Sequence, residues 1–249
     1  MRREVCVPSP ILTGQRMMLF GKASIDTLDL KLTGERWAFA ERERVRIDAH
    51  WQELVAINPA LWNGEVLMCH EVQLAEGRLA GRFLTTDFAS FVAWRDWERP
   101  DRSMRNCFGS AVVLSSDDAL IYGRMSRVTL NPGRIYPPGG SLEPADVKPD
   151  GTVDVLGSIV RELEEETGLE AGEAAEGEWI AIFDDYRLSL ARAYRFDLPA
   201  KEIADRVNAY LAHVDEEELE GIEIIRSRSQ IDSRMPEYAA EIVRHFLND

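Results

Sequence analysis

Three glutamates near the middle of the chain have the spacing to act together on one side of a helix. Glu162, Glu165 and Glu166 stand at positions i, i+3 and i+4, which share one edge of an α-helix, whereas Glu164 points elsewhere. Neighbouring carboxylates repel one another, and Mg²⁺ or Mn²⁺ removes that repulsion because these ions prefer oxygen ligands. We therefore expect a metal site here, with Arg161 holding one carboxylate in place. The alternative is a solvated acidic helix in a very acidic protein.

The segment that carries these glutamates is predicted to be a helix ending at Gly168. At about 100° per residue its apolar side chains fall on one side and can face a core. Those positions are Leu156, Ile159, Val160 and Leu163. Glycine accepts the left-handed conformation that ends many helices, so Gly168 marks the C-terminus. The helix is predicted to begin near Asp154, after a loop that contains the turn sequence at 148–151.

A glycine turn before this helix completes a pattern that resembles the Nudix box. The turn runs Gly139-Gly140-Ser141-Leu142-Glu143, and the end of the helix runs Arg161-Glu162-Leu163-Glu164-Glu165-Glu166-Thr167-Gly168-Leu169. Seven of those last nine residues match fixed positions of the box. The Nudix box is a loop–helix–loop of enzymes that hydrolyse nucleoside diphosphates linked to another moiety. Such an enzyme takes a small-molecule nucleotide conjugate as its partner and Mg²⁺ or Mn²⁺ as its cofactor.

The resemblance also implies roles for particular residues. Glu165 and Glu166 are the first candidates for metal ligands, and Glu162 is a third ligand or the residue that handles the attacking water. The backbone carbonyl of Gly139 is a further candidate ligand, and Arg161 belongs to the catalytic set with Glu162 and Glu165. Candidate substrate-binding residues are Gly140, Glu143 and Arg134. For two of them another interpretation stays open, because Glu143 can simply cap the turn and Arg134 can be a surface residue.

The upstream half of the segment departs from the family. Asp146 stands where the box usually has a glutamate, and fourteen residues separate it from Arg161, more than the family usually has there. We interpret residues 147–153 as a loop inserted before the helix. The departure puts a role for the first carboxylate in doubt and leaves the metal-binding end intact.

The composition limits the kinds of partner. A net charge of −15 over 249 residues disfavours a nucleic acid polymer, which needs a basic face. The sequence has no run of about 18 apolar residues for a membrane span and no apolar segment behind Met1–Glu4 for a secretory signal. Cys6, Cys69 and Cys107 form neither a zinc pattern nor a disulfide framework, so we expect a cytoplasmic protein. A homo-oligomer is compatible with these features.

The expected fold is α/β (α+β), a Nudix-type mixed sheet sandwiched between helices over residues 105–249. Residues 1–104 are predicted to form an N-terminal α+β region that helps to cover the substrate. Predicted helices lie at 36–57, 85–97, 201–213 and 238–246, and a hairpin lies at 70–83. Further strands are predicted at 5–7, 17–20, 109–114, 119–125, 179–183, 188–196 and 222–225. The acidic runs at 170–178 and 215–218 are predicted to be solvated.

The substrate class can be narrowed by a second resemblance. The Gly-Gly-Ser-Leu-Glu-Pro turn, the insertion, and the segment from Thr85 to Trp97 look similar to a divergent Nudix branch. Members of that branch cleave UDP-glucose and UDP-galactose to UMP and a sugar 1-phosphate. The alternatives are a pyrophosphatase for ADP-ribose or another nucleotide conjugate, and a non-catalytic Nudix-like module that binds a nucleotide or a protein.

Overall fold

The computed structural model describes residues 20–214 and 218–249. The strand predicted at 5–7 and most of the one predicted at 17–20 lie outside these residues. The strands are β1 Gly21–Ile25, β2 Thr27–Leu32, β3 Glu65–Ala75, β4 Arg78–Asp87, β5 Asn106–Leu114, β6 Leu120–Met125, β7 Ile135–Tyr136, β8 Ala174–Asp184, β9 Arg187–Phe196 and β10 Leu219–Ile225. The helices are α1 Ala38–Arg42, α2 Arg44–Ile57, α3 Phe88–Asp96, α4 Val155–Thr167, α5 Ala200–Leu211 and α6 Glu237–Phe246.

A mixed sheet forms the centre of the molecule. Its strand order is β1-β8-β9-β5-β6-β10, with the short β7 pairing with β6. The pair β5–β9 is parallel and the other pairs are antiparallel. The parallel pair places the start of β5 beside the turn between β8 and β9, and this turn becomes one wall of the cleft described below.

Helices cover both faces of this sheet because β5 is apolar on both sides. Val113 points to one face and packs in a core with Ile159 and Leu163 of α4 and with residues of α5. Val112 points to the other face and packs against residues of α6. Successive residues of a strand point to opposite faces, so the continuous apolar run of β5 serves two cores. The expected mixed sheet between helices is confirmed, and the fold class is α+β.

The preceding part of the chain adds a three-stranded sheet and α1 to α3. The sheet has the order β2-β4-β3, with β2 parallel to β4 and β3 antiparallel to it. Its residues Leu30 and Phe83 lie in the same core cluster as Leu163 of α4, and β1 is the edge strand of the main sheet. The two sheets therefore share a core. The boundary at 104/105 stays a prediction.

Several element predictions are confirmed and others need correction. The hairpin, α3 and the helix that carries the glutamates are present, and Asp87 caps α3 by accepting a hydrogen bond from the amide of Ser90. The helix predicted over 36–57 is two helices, and β1 and β2 were not predicted. Strand β8 begins within the stretch expected to be a solvated loop. Leu156 is 39% exposed instead of buried, and Val155 takes its place in the core.

None of the helices in the described part of the chain has the length and the apolar character that crossing a bilayer requires.

Candidate metal and diphosphate site

Helix α4 places the glutamates next to the glycine turn. The side chain of Asp154 caps its first turn by accepting a hydrogen bond from the amide of Gly157 at 3.3 Å. The helix ends at Gly168, whose φ of 67° is left-handed as expected. Ile159 and Leu163 are fully buried against the sheet. This packing fixes the rotation of the helix, and with it the direction in which each glutamate points.

Arg161 is the centre of a cluster of carboxylates. One of its terminal nitrogens lies 2.8 Å from Glu162 and 3.2 Å from Glu165. The other donates to Asp146 at 3.1 Å and lies 3.7 Å from Glu143. A guanidinium can bind several carboxylates because its donors spread as a fork. Arg161 therefore joins the turn before the insertion to the helix after it.

Asp146 has a structural role that the sequence comparison left in doubt. Its carboxyl group is buried, and besides Arg161 it accepts a hydrogen bond from the backbone amide of Glu143 at 2.9 Å. The shorter side chain at this position thus orders the turn and orients Arg161. Glu143 fits the capping interpretation more closely, although its carboxylate also faces Arg161.

The two glycines of the turn are required by the glutamates and the sheet. A Cβ at Gly140 would come within 2.6 to 2.7 Å of the Glu162 carboxyl group. A Cβ at Gly139 would collide with the backbone carbonyl oxygen of Gly109, and its φ of 154° also disfavours a side chain. The amide of Gly139 donates a 3.4 Å hydrogen bond to one oxygen of Glu166. The turn therefore packs directly against Glu162 and Glu166, two of the predicted metal ligands.

Glu166 is buried with half of its carboxyl group unsatisfied. The residue is 7% exposed, and its Oε2 atom has no hydrogen-bond partner within the described residues. Burial raises the pKa of Glu166 well above its ordinary value, and the charges of Glu218 and Glu162 raise it further. A buried carboxylate oxygen without a partner is costly in a native protein, which makes a bound cation the natural complement.

Glu162 lies in the same electrostatic environment. Burial raises its pKa to about 7; the positive charge of Arg161 opposes this rise, and the charges of Glu218 and Glu165 add to it. The carboxyl groups of Glu162, Glu166 and Glu218 therefore interact with one another between α4 and the start of β10. The donors present there are carboxylates beside a glycine turn, so the residues fit Mg²⁺ or Mn²⁺ in chemical type.

The three predicted glutamates are not equivalent in the structure. Glu162 lines the cleft, and Glu166 lies buried under the glycine turn. The side chain of Glu165 is 62% exposed and pairs with Arg161. Within residues 20–214 and 218–249, no group of three or more histidine, cysteine, aspartate or glutamate side chains is arranged to hold a metal ion. The predicted set of ligands is thus not brought together as a trio, and its role stays a prediction.

A large open cleft of about 1670 Å³ lies beside these residues. Predicted substrate residues Gly140 and Arg134 line it, together with Gly139 and Glu162. Arg134 also donates a hydrogen bond of 2.7 Å to the backbone of Ser233, so its position is fixed. Glu143 does not line this cleft.

Glu218 was missed by the sequence analysis. We expected the acidic run at 215–218 to be solvated, and residues 215–217 lie outside the described part. Glu218 is exposed, as expected, but it also lines the cleft, and its charge acts on Glu162 and Glu166. Its backbone carbonyl accepts a hydrogen bond from Ser126 at 2.8 Å, which holds the start of β10 next to the end of β6. Only the sheet pairing brings it to the site, and no local pattern signals that pairing.

The inserted segment before α4 is a short hairpin that docks on the N-terminal sheet. Val147 pairs with Val153, and the amide of Val153 donates to the carbonyl of Leu30 in β2 at 3.0 Å. Lys31 donates to the hydroxyl of Thr152 at 2.5 Å. The insertion therefore connects β2 to the first turn of α4.

Comparisons with known proteins give a likeness of fold alone. No protein-family model and no curated protein sequence matches the chain. Among solved structures, 57% of the chain aligns with 77% of a protein assigned to the Nudix hydrolase family from Chromobacterium violaceum, at 14% identity and a TM-score of 0.37. The same share aligns with 92% of a MutT protein from Methanosarcina mazei Go1, at 17% identity and a TM-score of 0.37.

A third similar structure is larger than this chain. It is a bifunctional NMN adenylyltransferase/ADP ribose pyrophosphatase from Francisella tularensis, of which 44% aligns with 62% of this chain, at 17% identity and a TM-score of 0.39. Values this low carry no weight for substrate or mechanism. The function must therefore be inferred from the residues of the site.

Proposed function

We propose that the protein is a metal-dependent hydrolase of the Nudix type that cleaves the diphosphate bond of a nucleoside diphosphate linked to another moiety. The products would be a nucleoside monophosphate and a phosphorylated second half. The observation that carries the proposal is Glu166, a buried carboxylate with one unpartnered oxygen, held under the glycine turn beside a cleft. A structural glutamate has no reason to remain in such a position, because burying it costs free energy.

Each residue of the site has a distinct task in this proposal. Glu166 and Glu162 would hold the ion, with the carbonyl of Gly139 as a further ligand, and Glu165 would join them by rotating away from Arg161. When bound, a divalent ion neutralises the diphosphate and lowers the pKa of a water molecule. Arg161 orients the carboxylates through its contacts with Asp146 and Glu162.

Glu162 is the residue best placed to accept a proton from the attacking water. It faces the cleft, it is largely buried, and its pKa of about 7 matches that of a base working near neutral pH. Glu218 lies close enough for its charge to act on Glu162 and is a further candidate for the same task.

Within this class we propose UDP-glucose or UDP-galactose as the substrate. Support comes from the Gly139–Pro144 turn, the inserted hairpin and the Thr85–Trp97 segment, which are similar to the divergent branch with that activity. The protein would release UMP and a sugar 1-phosphate, and ADP-ribose is the first comparison substrate to test.

The competing function is a binding module without catalysis. It is favoured by the exposure of Glu165 and by the absence of a preformed metal-binding trio in the described residues. Under this alternative the protein would bind nucleotides and leave them intact.

Phosphate release from a panel of nucleotide conjugates tests the proposal. UDP-glucose, UDP-galactose, ADP-ribose and related compounds are incubated with the protein, Mg²⁺ or Mn²⁺, and a phosphatase that attacks only the monoester products. We expect turnover that requires the metal and is lost in Glu166→Gln but kept in Glu164→Gln, a matched change at an exposed position of the same helix. Nucleotide binding with no turnover of any compound would establish the binding module instead.

A further inference from the structure

The part of the cleft away from the carboxylates has an aromatic wall, which consists of Trp62, Phe88, Phe91 and Tyr186. All four residues line the cleft. Ring centroids of Phe88 and Phe91 are 5.7 Å apart, and the buried Trp94 links Phe91 to Tyr186 at 6.3 and 5.6 Å. Phe88, Phe91 and Tyr186 are therefore connected through ring contacts, and three of the four wall residues belong to the region before residue 105.

Trp62 is the exposed end of this wall. It is 76% exposed, more than any other large apolar side chain that lines the cleft, and its indole lies over Gly64, where any Cβ would collide with the ring. Val128, which is 51% exposed, also lines the cleft, and the amide of Asn58 donates a 3.0 Å hydrogen bond to its carbonyl. An exposed indole held over a glycine inside a cleft offers a planar surface to a planar ligand.

The ring of Tyr186 already contacts the guanidinium groups of two arginines. Arg99 and Arg187 lie 4.9 and 4.6 Å from its ring centroid. A ligand ring is therefore expected to stack on Trp62 and Phe88. Arg187 also lines the cleft, as do Arg95 and Arg127, so positive side chains stand near the wall in a protein with a net charge of −15.

Asn106 stands between the aromatic wall and the glycine turn. It is the first residue of β5, its backbone amide donates to the carbonyl of Tyr186 at 2.9 Å, and it lines the cleft. Two residues further along the strand, Phe108 pairs with Ser141 of the turn. The side-chain amide of Asn106 forms no hydrogen bond with any described residue. A side-chain amide offers both a donor and an acceptor, which suits the edge of a nucleobase.

We propose that the aromatic wall binds the nucleobase of the substrate, by stacking on Trp62 and Phe88 with a hydrogen bond from Asn106 to the base edge. This proposal deepens the proposed function and rests on it for the identity of the ligand. The base would lie toward Trp62 and the diphosphate toward Gly139 and Gly140, since Asn106 lies between the two ends. Base preference is then set by residues outside the segment that resembles the Nudix box.

Binding of nucleoside 5′-monophosphates, measured by calorimetry with ribose 5-phosphate for comparison, tests the proposal without any turnover. We expect at least one of AMP, GMP, CMP and UMP to bind more tightly than ribose 5-phosphate. Trp62→Ala should weaken that binding about tenfold or more, the usual effect of removing a stacked aromatic side chain. Ile57→Ala is the matched control, because Ile57 is 82% exposed and does not line the cleft.

A second variant tests the hydrogen bond. Asn106→Ala should reduce the difference in affinity between the preferred base and the other bases, while ribose 5-phosphate binding stays unchanged. If hydrolysis is observed, Trp62→Ala should raise KM and leave kcat close to that of the wild type, because stacking is kept from ground state to transition state.

The outcomes separate this inference from the proposed function. Equal binding of ribose 5-phosphate and every monophosphate, or unchanged binding in Trp62→Ala, would overturn the nucleobase site even if the protein hydrolyses nucleotide conjugates. Base-dependent binding that is lost in Trp62→Ala, with no conjugate hydrolysed, would support the nucleobase site and overturn the hydrolase.

Discussion

At the scale of single residues, Arg161 and Glu166 differ in whether their charged groups are paired within the protein. Arg161 gathers carboxylates around one cation, and its contacts with Asp146 and Glu162 are satisfied within the protein. Glu166 is buried and keeps an oxygen without a partner in the described residues. The first residue connects the carboxylates of the site, and the second leaves a buried oxygen that a cation would satisfy under the proposed function.

Glu166→Gln should stabilise the protein when no metal is added. A neutral amide at this position removes a carboxylate that is costly to bury, so the free energy of unfolding should rise by about 1 kcal/mol. If the wild type binds Mg²⁺ or Mn²⁺ as proposed, its Tm should rise with the metal, and the variant should lose that increase. Thermal unfolding with and without the metal measures both effects, and a metal-induced shift equal to that of the wild type would contradict the role of Glu166.

Alanine at Gly139 and at Gly140 should have different effects, because the added methyl groups meet different atoms. In Gly140→Ala the methyl group meets the movable carboxyl end of Glu162, so activity should fall while Tm stays close to that of the wild type. In Gly139→Ala the methyl group meets the backbone of Gly109, which cannot move aside, so Tm should fall by several degrees. Equal Tm values for the two variants would show that the turn adapts more easily than this geometry implies.

At the scale of elements, the position of α3 sets one wall of the cleft. Asp87 accepts hydrogen bonds from the amide of Ser90 at 2.7 Å and from Arg44 at 2.5 Å, which joins the start of α3 to α2. Burial by itself would raise the pKa of Asp87, but the hydrogen bonds from Arg44 and Ser90 outweigh it and hold that pKa below its ordinary value of 3.8. Its stabilising effect is therefore present above that value and disappears as the pH falls through the lowered pKa.

Asp87→Ala should destabilise the protein by about 1 to 2 kcal/mol at pH 7, the usual cost of losing a helix cap. The difference from the wild type should begin to shrink below about pH 4 and should disappear as the pH falls through the lowered pKa of Asp87, where the wild-type carboxylate becomes protonated. Urea unfolding at both pH values provides the measurement. Asp48→Ala is the control because Asp48 pairs with the same Arg44 but is 63% exposed, and an equal loss there would argue against the cap.

The sequence predicted the elements whose signals are local. The C-terminus of α4 at Gly168 follows from residue type and spacing within a few residues. Strand β1 was not predicted, because it is short and its partner β8 lies far along the chain. The exposure of Glu165 was missed because it depends on how tightly Arg161 holds it, and Glu218 was missed because it reaches the site through long-range sheet pairing.

At the scale of the whole molecule, the two halves of the chain share one core. Ile25, Leu30, Leu67 and Phe83 pack in the same cluster as Leu163 of α4. The amide of Leu67 donates to the carbonyl of Leu142, next to the glycine turn, at 2.7 Å. The N-terminal region is thus part of the support for the site as well as one wall of the cleft.

The fragment 105–249 should therefore not fold cooperatively by itself. Removing residues 1–104 exposes the apolar side chains that pack against the N-terminal sheet and leaves the edge of β8 unpaired, and open edges favour aggregation. Circular dichroism and thermal unfolding of the fragment would test this. A monomeric fragment with a sharp unfolding transition would show instead that residues 105–249 are an independent domain.

The pairing of β1 with β8 also bears on how the protein is made. Gly21 lies opposite Phe183, so about 160 residues separate the two partners along the chain. During translation β1 leaves the ribosome long before β8 exists, and domains begin to fold from the N-terminal side as they emerge. The nascent chain must therefore keep β1 unpaired until β8 has been synthesised, and closing this edge of the sheet is expected to be a late step in its folding.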